Sequence, residues 1–142
     1  VAAGCNMCIT AGREQHPLRR IEAGGRCTWF VAQTSPKTVR KQWIAGLLQP
    51  AGALHVDAGA ARALRGGKSL LPAGVTQVEG CFDRGDMVIV RDADGVEIAR
   101  GLSAYSSEDT RRASGRRSQE LEAILGYRGR DELIHRDDLV LT

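Results

Sequence analysis

Five groups of residues in this 142-residue chain are of types that do chemistry. The first is Gly66-Gly67-Lys68-Ser69, which has the form of the end of a phosphate-cradling loop. Such a loop needs another glycine five residues before its second one, and that position holds Arg62. It must also run from a strand into a helix, whereas a helix pattern precedes it here. The expected structure is therefore a helix C-cap followed by a turn. His135-Arg136-Asp137 mimics a phosphoryl-transfer loop, but the asparagine that loop requires would fall at Thr142, and no glycine-rich or metal-binding partner motif accompanies it. Cys5 and Cys8 form a C-x-x-C pair, suited to redox chemistry or to half a zinc site. Zinc needs two more ligands at matched spacing, yet Cys27 and Cys81 are isolated and His16, His55 and His135 are scattered. Buried free thiols in a reducing cytoplasm are the expectation. Arg111, Arg112, Arg116 and Arg117 suit phosphate contacts, but they lie among Glu108, Asp109, Glu120 and Glu122, so pairing along the helix and solvation explain them at least as well. Arg62, Arg65 and Lys68 form a smaller basic group with less acidic company. No Ser/His/Asp or Cys/His set stands at catalytic spacing, nor does an orientable pair of carboxylates. No catalytic, cofactor-binding or metal-binding residue is expected in this chain.

The elements that must position these groups follow from apolar spacing and punctuation. Met7-Cys8-Ile9-Thr10 reads as a buried strand, Pro17 opens a short helix through Leu18 and Ile21, and Cys27 to Val31 is rich in β-formers. Strand–helix–strand within about thirty residues suggests a βαβ unit of a larger sheet, which cannot bury both its faces alone. After Thr34-Ser35-Pro36, Lys37 to Leu48 places Val39, Trp43, Ile44 and Leu47 on one face of a short helix, or along a linker pinned by Trp43. Pro50-Ala51-Gly52 marks a domain boundary. Beyond it, Leu54-His55-Val56 is a strand, and Asp57 caps a helix from Ala58 to Leu64 that ends at Gly66-Gly67. Val75 to Val78 is a strand, and Met87–Val90 with Val96–Ala99 forms a hairpin around Asp92-Ala93-Asp94-Gly95. Ser106-Ser107-Glu108-Asp109 starts a helix that Gly115 stops, and Ser118 caps another through Leu121, Ile124 and Leu125 to Gly126. Leu139-Val140-Leu141 supplies a last strand. Many short strands with glycine-rich turns point to a small, mainly β barrel with peripheral helices.

Composition bounds the function. Hydrophobic residues make up 42 % of the chain and charged residues 26 %, ordinary for a soluble domain. No apolar run approaches the ~20 residues that span a bilayer, and the start lacks the features of a secretory signal, so a cytoplasmic protein with no membrane partner is expected. Val1-Ala2-Ala3-Gly4 reads like the end of a helix already under way, so a chain truncated at its N-terminus is expected. The net charge of +3 divides unevenly: residues 1–53 hold seven Lys/Arg against Glu14 and Glu22, and residues 54–142 hold thirteen against fifteen Asp/Glu. The C-terminal two-thirds therefore lacks the basic excess of a nucleic-acid module, and aromatics at 4 % weaken base stacking.

An ordered series of motifs carries a family resemblance. Val56-Asp57-Ala58-Gly59-Ala60, Gly67-Lys68-Ser69-Leu70-Leu71-Pro72, Gly74-Val75, Val78-Glu79-Gly80, Phe82, Arg84-Gly85-Asp86 and Ile98-Ala99-Arg100-Gly101-Leu102 resemble the PUA domain of bacterial glutamate 5-kinases. Tyr105, Ser118-Gln119-Glu120, Ile124-Leu125-Gly126-Tyr127 and His135-Arg136-Asp137-Asp138 continue the match. Upstream, Arg40-Lys41-Gln42-Trp43-Ile44 resembles the family's linker, and Ile9 to Val31 the last strand–helix–strand of its amino-acid kinase fold. The resemblance implies an α+β, mainly β architecture: a PUA-type pseudo-barrel with peripheral helices at 53–142, a linker at 37–52, and a β-α-β kinase remnant at 1–36. It implies a parent enzyme that moves the γ-phosphate of ATP to the side-chain carboxylate of L-glutamate, the first step toward proline. ATP and Mg²⁺ would be held by segments upstream of Val1, so these residues alone are expected to be inactive. Proline as feedback inhibitor and a homo-oligomeric parent are implied too. For the PUA domain the resemblance implies recognition of structured RNA through Arg62, Arg65, Gly66, Gly67 and Lys68. Its acidic balance favours a regulatory or oligomerisation role equally, and a stand-alone RNA-binding module without catalysis is the alternative.

Overall fold

Short apolar runs broken by glycine set the first elements. In a computed structural model that describes residues 1, 4–13, 15–46 and 49–142, Met7–Thr10 is strand β1, Pro17–Glu22 helix α1, and Cys27–Phe30 strand β2. Ala2, Ala3, Glu14, Leu47 and Leu48 lie outside the described residues, and with them the helix end expected at Val1–Gly4 and the last turn expected at Leu48. The described chain forms two compact units, Val1–Arg40 and Lys41–Thr142.

In the first unit β1 and β2 pair antiparallel, Met7 opposite Phe30 and Thr10 opposite Cys27. This corrects the parallel crossover that a βαβ unit requires. A right-handed crossover holds its strands parallel by packing its helix back onto the sheet, and this six-residue helix does not do so. The helix buries no residue, and Leu18 and Val31 remain 74 % and 69 % exposed. The thiols are free, as expected, but not buried: Cys5 and Cys81 are exposed, and Cys8 and Cys27 half-buried. Cys8 and Cys27 occupy neighbouring strands, and desolvation together with the Cys27 thiol raises the pKa of Cys8 above its ordinary value.

Helix α2 spans Pro36–Gly46. Ile44 is fully buried and Trp43 is 55 % exposed, so Trp43 does not pin this segment. Consecutive helix residues point about 100° apart, and burying one turns its neighbour outward.

The second unit is built on a five-stranded sheet. Its strands are β3 (Gly52–Val56), β4 (Val75–Gly80), β5 (Met87–Arg91), β6 (Glu97–Leu102) and β7 (Leu139–Leu141), in the spatial order β4-β3-β5-β6-β7. All neighbours are antiparallel except β3 and β5, which run parallel. Alternation sorts the side chains. Val88 and Val90 join Leu54 and Val56 in the main core, while Met87 and Ile89 pack with Ala53 and Leu102 on the other face. In the β5–β6 turn the Asp92 carboxylate accepts from the amides of Asp94 and Val96.

Three helices cover the main core: α3 (Ala58–Arg65), α4 (Ser107–Ala113) and α5 (Leu121–Leu125). Ser106 caps α4 by accepting from Asp109 N. Ser118 does not cap α5, against expectation: a 3₁₀ turn, Ser118–Glu120, precedes that helix, and the Ser118 hydroxyl donates to the Asp131 carbonyl at 2.6 Å. Residues 133–134 stitch the unit shut. Leu133 N donates to Leu70 O (2.8 Å), Leu70 N to Ile134 O (2.9 Å) and Ala104 N to Leu133 O (2.8 Å).

Beyond α5, the Tyr127 hydroxyl donates to Asp109 Oδ2 at 2.7 Å. Its pKa is pushed up to about 12, by desolvation first and then by the hydrogen bond and charge of Asp109. The fold thus favours the neutral phenol, a contribution complete below the unfolded value near 10 and lost as pH rises through 12. Ultraviolet titration is expected to show Tyr127 ionising near pH 12, and Asp109→Asn to bring it down; ionisation near pH 10 in the parent chain would contradict this geometry.

Candidate nucleic-acid interface

The site begins with the capping of α3. Asp57 Oδ1 accepts from Ala60 N at 2.7 Å, a cap worth about 1 kcal/mol. Ala61 and Leu64 face the core, which turns Arg62 and Arg65, in the last turn, outward. At the other end Gly67 N donates to Leu64 O (2.9 Å) and Lys68 N to Ala63 O (3.0 Å), the two bonds of a Schellman closure. That closure needs a left-handed residue, and Gly67 takes φ 76. Gly66-Gly67-Lys68-Ser69 therefore leaves a helix and does not present amides to a phosphate in the manner of a loop that opens one.

Lys68 then stands at a junction. The Ser69 hydroxyl accepts from Arg136 N at 3.0 Å, and the Leu70–Ile134 bridge fixes the next residue. These ties bring Lys68 together with Lys41, Gly67 and Arg136 around a cavity of about 150 Å³. On its other side, Lys68 and Ser69 border a mainly apolar cavity of about 580 Å³ that includes Asp57, Ala60, Leu71 and Gly74. Arg62 and Arg65 line neither. Arg65 is ion-paired with Asp92 at 3.6 Å, so part of its charge is already compensated. Arg111 donates to the Gly80 carbonyl at 2.5 Å, and Arg112 donates to the Ile124 carbonyl and is ion-paired with Asp109. Two of the four clustered arginines therefore hold elements together.

A family model described as the PUA domain matches residues 52–125. The chain belongs to the PUA domain family. Its α+β, mainly β pseudo-barrel with peripheral helices is the architecture of that family. Over 99 % of its length the chain is 61 % identical to a glutamate 5-kinase of Paramagnetospirillum magneticum, and over 98 % it is 63 % identical to one of Gluconobacter oxydans. It spans 38 % and 37 % of the lengths of those relatives. Among solved structures, a PUA domain of Aeropyrum pernix K1 aligns with 80 % of this chain and 52 % of its own, at a TM-score of 0.46 and 23 % identity.

In the PUA unit, then, Lys68 and Gly67 meet at the small basic cavity, whereas Arg62 and Arg65 stand on the outer face of α3. Lys41 and Arg136 were absent from the sequence-derived set. No local signal marks them, because Arg136 reaches Lys68 through a contact 67 residues apart in sequence, Arg136 N to the Ser69 hydroxyl. No helix among the described residues is long and apolar enough to cross a membrane.

Proposed function

We propose that this chain is the PUA-bearing C-terminal part of a glutamate 5-kinase, whose parent enzyme phosphorylates the side-chain carboxylate of L-glutamate with ATP in proline synthesis. Identity of 61 % across 99 % of the chain carries the reading. The groups that hold ATP and Mg²⁺ are assigned to residues outside this chain. Gly66-Gly67-Lys68-Ser69 ends a helix, and among the described residues no three His, Cys, Asp or Glu converge as a metal site. Feedback by proline, homo-oligomerisation and a cytoplasmic setting belong to the same reading of the parent.

The test is glutamate-dependent ADP release. The 142 residues alone are expected to give none above the blank, and the same residues within the longer kinase chain to give turnover. Phosphorylation of glutamate by these residues unaided would overturn the assignment.

A second role is favoured by the cluster of Lys41, Lys68 and Arg136: a phosphate-contacting surface for structured RNA, set on the PUA unit. Arg62 extends that surface along α3, and Gly66 and Gly67 let its backbone turn close by. Cations brought together by the fold, not an overall basic charge, support it.

A further inference from the structure

Another cavity, of about 510 Å³, shares no lining residue with those at Lys68. It lies among the β4–β5 loop, the turn from β6 into α4, and the loop after α5. Its volume falls in the range of small-molecule sites. The loop Tyr127-Arg128-Gly129-Arg130 is held at four points. Buried Tyr105 donates its hydroxyl to the Arg130 carbonyl. Gly129 rests on the same ring so closely that a Cβ there would stand 2.8 Å from Tyr105 Cζ, which only glycine avoids. Tyr127 is tied to Asp109 at 2.7 Å, and Arg130 is paired with Asp138 at 3.6 Å. The two tyrosine rings stand 6.4 Å apart, centre to centre.

Two cations in this rigid setting are left over. Arg84 and Arg128 both line the cavity, and neither guanidinium is hydrogen-bonded or ion-paired among the described residues. Arg84 stands near both phenols, since its charge opposes the rise in pKa of each. A guanidinium offers a planar fork of donors that matches a carboxylate or phosphate through two parallel hydrogen bonds. Asp109 is already engaged by Tyr127 and Arg112, whereas Asp83 lines the cavity beside Arg84. An open carboxylate there disfavours a polyanionic strand and suits a compact ligand with a donor next to its oxyanion. We propose that the cavity between Arg84 and Arg128 binds a small molecule through a phosphate or carboxylate group.

The experiment is an amide NMR titration of the whole 142-residue chain at constant ionic strength. Inorganic phosphate and phenyl phosphate form one arm, succinate the other, with chloride as the reference anion. At least one probe is expected to give saturable shifts at Arg84, Tyr105 and Gly129, and the responding arm identifies the oxyanion. Arg84→Gln with Arg128→Gln should weaken that binding by about tenfold or more, with the melting curve unchanged, since both side chains are exposed. Lysine at both positions should restore part of it, while Lys68→Glu should not alter it. The proposal fails if no probe saturates, if the Gln pair leaves the shifts intact, or if only structured RNA moves these amides. None of these outcomes depends on whether the Lys68 cluster binds RNA.

Discussion

Lys68→Glu combined with Arg136→Glu is expected to lower the affinity of the chain for structured RNA at least tenfold and to flatten its dependence on salt. The two side chains border the same small cavity, so a single phosphate run would meet both. Each lost phosphate contact removes about one unit from the slope of log affinity against log salt, so the double variant should lose about two. Arg65→Glu is the internal comparison. Its guanidinium already pairs with Asp92 at 3.6 Å, so reversing it should change the slope less than reversing Lys68. Filter binding or anisotropy with one folded RNA, at several salt concentrations, reads all three. An unchanged slope in the double variant would remove the interface from this corner of the fold. A large effect of Arg65→Glu beside a small one of Lys68→Glu would move it onto the outer face of α3.

What the sequence made legible here is what local chemistry decides. Asp57 followed by an alanine-rich stretch, then Gly66-Gly67, writes both ends of α3 into eleven residues. Asp92 to Gly95 between two β-branched runs does the same for the β5–β6 hairpin. Contacts between distant segments left no such mark. Nothing near Leu54 says that β3 runs parallel to β5, which requires α3 and β4 to lie between them in the chain. The antiparallel pairing of β1 and β2 was hidden because strand–helix–strand order is compatible with either direction when the helix is short. For the same reason the site was only half visible. Lys68 could be read from the loop it sits in, whereas Arg136 joins it by a hydrogen bond from its own amide to the Ser69 hydroxyl. The C-x-x-C pair went wrong differently: a strand-like apolar run suggested burial, yet a two-stranded ribbon has too little around it to bury Cys8 fully.

The segment that completes the site also closes the core, and this makes Ile134 the sharpest test of the fold. Its side chain is fully buried in the main cluster, and its carbonyl accepts from Leu70 N at 2.9 Å. Removing one methylene with Ile134→Val is expected to cost about 0.5–1.5 kcal/mol, and Ile134→Ala about 2–5 kcal/mol, since the surrounding side chains fill the void only in part. Because the chain holds two compact units, exchange of the Val88 and Val90 amides in rising urea isolates the second unit better than a whole-chain melt. Both amides should lose protection in the order parent, valine, alanine. Arg136 N, donating to Ser69, should open earlier than they do in the alanine variant, because its position relies on the 133–134 stitch. RNA affinity should then fall with Ile134→Ala although no charge has changed, and keep the parent's salt slope once corrected for the unfolded fraction. If Ile134→Ala cost less than about 1 kcal/mol, below the range for a buried isoleucine, residues 133–134 would not close this barrel. Lys68 and Arg136 would then lose the scaffold that brings them together.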